Sequence, residues 1–251
     1  MNGLDFTGWR AVFRREFRGY FASPLGYIFL VIFLVASGYL MVSRDNGRFL
    51  ELRQATLDPL FTYFPWLFVV LVPAVAMRLW AEERKTGTVE FLLTLPVSLR
   101  GAYLGKFLAG WVFLALAVLL TWPAVFQVMR LGDPDWGAIF GGYLASLLAA
   151  AAFLAVGMLF SALSKNQVVA FVLAVTASVL FLLLGLPQTQ EWIANYLGGF
   201  SESVVASLSL IDYYETMTRG LIEIRGLLFF AIFTVVWLAG GMLVLQRTKT
   251  E

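Results

Sequence analysis

The sequence contains neither cysteine nor histidine. Zinc sites, haem ligation by imidazole, thiol nucleophiles and His-based catalytic triads therefore lack their raw material. No cysteine spacing hints at a redox compartment either. Charge is sparse, at 14% of 251 residues, where an ordinary soluble domain carries about 25%. The net charge of +2 is too small to suggest a nucleic-acid partner. What the chain has instead is apolar surface, with 60% hydrophobic residues and a mean hydropathy of +0.82. A soluble fold could not bury that surplus and still cover itself with polar groups. Lipid is the expected solvent for much of it.

Six runs lack Asp, Glu, Lys and Arg: 25–42, 60–77, 107–129, 136–163, 168–186 and 226–245. Each has at least the roughly 18 residues that cross about 30 Å of hydrocarbon at about 1.5 Å per residue. None alternates as barrel strands do. The expected fold class is therefore all-α: one polytopic membrane domain over 1–251 with six transmembrane helices. Lys and Arg are biased to one side. The N-terminus, second loop, fourth loop and C-terminus carry twelve, and the other three loops carry six. By the positive-inside rule both termini face the cytoplasm. Arg14-Arg15-Glu16-Phe17 superficially resembles a twin-arginine signal, but no A-x-A cleavage site follows and five further spans do. No internal sequence period is present.

The absence of ionisable groups within the spans argues against a proton- or ion-coupled carrier, which must bind and release its driving ion. The polar candidates there are Ser37, Thr121, Gln127, Ser146, Ser161, Thr176, Ser178 and Thr234. Hydroxyls and amides satisfied at helix contacts account for them. Gly137-x-x-x-Gly141, followed by Gly142 and Ser146, permits close helix approach, as an intramolecular seam or a dimer interface. Gly101-x-x-x-Gly105-Lys106 is one residue short of a P-loop and lacks the following Ser/Thr. With no ion relay and no nucleotide site, active transport would need an outside engine.

The charged ends and loops carry the rest. Over 1–23, Trp9, Phe13, Phe17 and Phe21 recur at i+4, with Arg10, Arg14 and Arg18 on a neighbouring stripe. That predicts an amphipathic interfacial helix, lying in headgroups or presented to a protein. Glu16 falls on its apolar side, which lipid burial does not explain. Ser23-Pro24 ends it. The second loop, 78–106, is expected to hold a short helix opened by the turn Thr86-Gly87-Thr88, with Glu90 near its positive end and Pro96 closing it. Val89, Leu92 and Leu93 give it i, i+3, i+4 apolar spacing, with Phe91 and Leu95 alongside. Two turns cannot bury these groups alone, so they need a receptor groove.

The run Glu82-Glu83-Arg84-Lys85-Thr86-Gly87-Thr88-Val89-Glu90-Phe91-Leu92-Leu93-Thr94-Leu95-Pro96-Val97-Ser98, then Gly105-Lys106-Phe107, resembles the loop of ABC-2 type ABC-exporter permeases. Arg14-Arg15-Glu16-Phe17-x-x-Tyr20-Phe21-x-Ser23-Pro24 resembles the start of the same family. So does Ser209-Leu210-Ile211-Asp212-Tyr213-Tyr214-Glu215 with Arg219-Gly220. The gliding-motility-associated branch is the most similar. The resemblance implies a permease subunit paired with a second copy or a homologous permease, on separate ATP-binding cassette subunits in a bacterial inner membrane. ATP and Mg would be bound by those ATPase subunits, and no cofactor or catalytic residue is expected in this chain. It further implies that Val89, Phe91, Leu92 and Leu95 dock on the ATPase, within the frame set by Gly87, Thr88 and Pro96. Glu82, Glu83 and Glu90 would meet basic residues there. The N-terminal helix, with Arg10, Arg14, Arg15, Glu16 and Arg18, would seat on the same partner.

The fifth loop, 187–225, carries Trp192, Tyr196, Phe200, Val204, Val205 and Leu208. Short helices at the outer leaflet fit it, and it is too small for a folded outer domain. A membrane scaffold or channel holding a cytoplasmic partner is the alternative function. A secondary carrier is disfavoured by the charge-free spans, and an intramembrane enzyme by the missing chemistry.

Overall fold

The computed structural model describes residues 8–43, 47, 49, 54–87, 98–197 and 209–248, and every regular element among them is helical. In order these are α1 Trp9–Ala22, α2 Pro24–Val42, α3 Asp58–Phe61, α4 Phe64–Ala76, α5 Arg78–Thr86 and α6 Leu99–Leu119. They continue with α7 Pro123–Leu131, α8 Trp136–Leu163, α9 Gln167–Leu183, α10 Pro187–Leu197, α11 Leu210–Thr218 and α12 Ile224–Thr248. Five stretches are long and apolar enough to cross a membrane: α2, the α3–α5 run, the α6–α7 run, α8 and α12. The sixth is shorter. α9 has 17 residues, at the low end of a crossing, and bends by 78° into α10.

The second and third spans run further than charge alone indicated. Residues 78–86 and 99–106, expected within the loop, are helical. Of their charged side chains, Arg78, Glu83, Arg84 and Lys106 find partners on neighbouring helices, so charge does not mark the helix ends. Gly87 ends α5 in the left-handed conformation (φ 73°), a backbone state that glycine adopts without steric cost. The turn expected at Thr86-Gly87-Thr88 thus stops one helix. The short helix expected after it, with Thr88, Val89, Glu90, Phe91, Leu92, Leu95 and Pro96, lies outside the described residues. Ser98 then caps α6, accepting from Gly101 N at 3.0 Å.

α8 is the hub, with 72% of its apolar window buried, whereas α12 has 17% buried and stands at the periphery. Its sequence explains the position. Gly141, Gly142, Ala145, the run Ala149-Ala150-Ala151-Ala152 and Gly157 give a thin helix that neighbours approach closely on all sides. The Gly137-x-x-x-Gly141 seam is filled within the chain. A Cβ on Gly141 would collide with the Met217 carbonyl of α11, and one on Gly142 with the Phe61 ring. Tyr214 of α11 locks this end: its hydroxyl donates to Phe61 O at 2.8 Å and lies 3.0 Å from Ser146 Oγ.

Most hydroxyls of the spans are satisfied locally. Ser37, Thr121, Ser146 and Thr176 each donate to a backbone carbonyl three or four residues earlier. Ser161 has a larger task. The α4–α5 run breaks at Met77, and Ser161 Oγ accepts from Trp80 N and Ala81 N at 3.0 and 3.1 Å while donating to Met77 O at 2.8 Å. Backbone groups orphaned by the break in apolar surroundings are thereby paired.

Candidate functional site

The end of the bundle that carries α1 and the C-terminal part of α12 holds the densest charged chemistry. α1 lies along α6 because α6 presents small residues there. A Cβ on Gly105 would sit 2.7 Å from Trp9 O and 3.0 Å from the Val12 Cβ. Val12 and Tyr20 are buried in this contact, and Phe13, Phe17 and Phe21 pack beside them. Tyr20 stacks on Phe113 of α6 at 4.5 Å, and the Arg78 guanidinium of α5 lies 5.2 Å from the Tyr20 ring.

One cation ties three helices together. Lys106 of α6 is only 2% exposed, and its Nζ lies 3.0 Å from Glu16 Oε1 of α1 and 2.9 Å from Glu83 Oε1 of α5. Arg15 Nη2 donates to the same two oxygens at 2.7 and 3.1 Å. Two cations thus face two carboxylates. Lys106 also sits 5.2 Å from the centre of the Trp80 ring, which stacks on Tyr103 at 5.4 Å. Beside this cluster the Arg84 guanidinium donates to the Ala162 carbonyl at the C-terminal end of α8. α5 is therefore clamped to α1, α6 and α8 together.

The cluster explains why Glu16 occupies the apolar side of α1. Burial by itself would raise its carboxyl, but Lys106 and Arg15 outweigh that and hold it below the ordinary glutamate range. A carboxylate stabilised by folding adds stability above its unfolded pKa and loses it as pH falls through the lower folded value. The Glu16 contribution is thus expected to be constant near neutrality and to fade only below about pH 4.3, the free glutamate value. Thermal unfolding of wild type and Glu16→Gln across that range checks this. Wild type should lose an increment on acidification that Glu16→Gln lacks, and parallel curves would refute it.

The remaining candidates divide. Arg10, Arg14 and Arg18 form an exposed stripe on α1, broken by Ala11 and Gly19. Glu82 and Gly87 are exposed at the end of α5. Glu83, grouped above with the partner-facing glutamates, is turned inward to Lys106 and Arg15. Sequence reasoning missed Lys106 as a buried cation, and it missed Arg84 and Ser161 as clamps. Glu16 carried the one available signal: a carboxylate on an apolar face requires a buried cation.

Comparison with known proteins agrees with this architecture. The family of ABC-2 family transporter proteins matches residues 10–249, nearly the whole chain. A comparison with curated proteins finds no match. An all-helical bundle with five or six apolar crossings, matched along almost its full length, belongs to the ABC-2 transporter family and is a membrane-spanning permease component rather than a catalytic subunit.

Proposed function

We propose that this permease serves an ATP-driven exporter of the gliding-motility-associated type, paired with a second copy or a homologous permease. A separate ATP-binding cassette subunit would move it through segment 88–97 and the exposed face of α1. In this reading both termini and the Lys106 end face the cytoplasm of a bacterial inner membrane, consistent with the Lys and Arg bias. The observation that carries the reading is the Lys106 joint. Segment 88–97 connects α5 to α6 in the chain, and both helices are fixed to α1 by one ion cluster built on the buried Lys106. A displacement applied there or on α1 would enter the second and third spans as rigid-body motion.

The division of charges fits the same reading. Among the described residues Glu82, Arg10, Arg14 and Arg18 remain for a partner, while Arg15, Glu16 and Glu83 hold the joint. Phe91→Asp with Leu92→Asp is expected to abolish ATPase association, because two buried charges without partners are strongly unfavourable in an apolar groove. Co-isolation of a nucleotide-binding subunit with the tagged double variant measures this. Wild-type recovery of that subunit and undiminished ATP-dependent transport would refute the docking role of 88–97.

A further inference from the structure

At the opposite end of the bundle, α3, the start of α4, the turn between α9 and α10, and α11 line a cavity of about 290 Å³. Its character is divided. Leu186 and Ile211 give it an apolar floor, while Asp58, Glu215 and Arg219 line the rim with Trp66, which is 45% exposed. Arg219 pairs with Glu215 at 3.5 Å, and the Asp58 carboxylate makes no ion pair with any described residue. The rim therefore keeps a net negative charge beside an accessible indole. Negative charge, an aromatic face and an adjoining hydrocarbon surface are complementary to an organic cation carrying an alkyl chain. An anionic headgroup would meet two carboxylates and one guanidinium already engaged.

We infer that this cavity binds the ammonium head and first methylenes of an amphipathic molecule. Its volume, near the roughly 300 Å³ lower bound of small-molecule pockets, suits a headgroup rather than a whole lipid. Two sources supply such an ammonium: a bilayer lipid such as an ethanolamine phospholipid, and a passing cargo. The site lies at the end away from the coupling face, so failure of either proposal leaves the other standing.

The test titrates a nitroxide-labelled alkyltrimethylammonium into the full chain in dodecyl maltoside and follows tryptophan quenching. Wild type should show a saturable component that Trp66→Phe removes. Asp58→Asn and Glu215→Gln should each weaken it about tenfold, as expected for loss of one charge contact in a partly screened site. Circular dichroism and melting verify that each variant is folded. Competition by phosphatidylethanolamine, but not phosphatidylglycerol, would identify a lipid headgroup as the occupant. Saturable binding without that competition would identify a cargo-type ligand. The inference is overturned if a nitroxide alkyl sulfate saturates equally well, or if folded Asp58→Asn and Glu215→Gln both bind as wild type does.

Discussion

Replacing Lys106 with methionine is expected to release α1 from the bundle. The substitution fills similar space but leaves Glu16 and Glu83 beside each other, with only the half-exposed Arg15 to balance them. Removing one partner of a buried ion pair typically costs about 3–5 kcal/mol, because the other charge stays desolvated. Arg15 remains here, so the lower end, about 3 kcal/mol, is the expected loss. The natural absence of cysteine makes the measurement clean, since Val12→Cys introduces a single thiol in the α1–α6 contact. Thiol labelling should accelerate at least about tenfold in Lys106→Met, a conservative reading of that loss. Adding Glu16→Gln restores neutrality around Glu83 and Arg15 and should recover part of the protection. Unchanged labelling in Lys106→Met would show that the cluster does not hold α1.

Gly105→Leu attacks the same contact without touching a charge. The Cβ would press on the Trp9 carbonyl, which belongs to the backbone, so relief requires α1 to lift from α6. Overpacking generally costs about 1–3 kcal/mol, and more where backbone must move. Gly105→Ala should give a smaller effect in the same direction. Gly19→Leu is the control, because Gly19 lies on the exposed face of α1, where an added Cβ would meet nothing within 4 Å. Strong destabilisation and partner loss at Gly105, with little effect at Gly19, is the expected pattern. Propensity alone would favour Leu over Gly at both sites, so equal losses at both would show that the cost does not arise in the α1–α6 contact.

The apolar helices, five or six of them long enough to cross, were legible because a run without charge has few alternatives once it can span hydrocarbon. Span ends were less legible. Arg78, Glu83 and Lys106 look like loop residues in a linear reading, whereas the fold pairs them across three helices. Small residues behaved similarly. Gly101-x-x-x-Gly105 could be excluded as a phosphate loop from its length, but no local pattern says that α1 covers it. For Gly137-x-x-x-Gly141 the spacing left a seam and a dimer interface equally open, and the collision with Met217 places the seam inside the chain. Glu83 shows the limit most plainly. Its neighbours in sequence suggest a partner-facing charge, and its neighbours in space make it part of the joint.

In the proposed mechanism an ATP-binding cassette subunit drives this permease through segment 88–97. Placing a photo-crosslinking amino acid at Phe91 in the full chain, in its native membrane, tests this directly. The expected adduct, identified by mass spectrometry, is with a nucleotide-binding ATPase subunit, and its yield should change when ATP is exhausted. Adducts only to lipid, or only to the permease itself, would contradict the account.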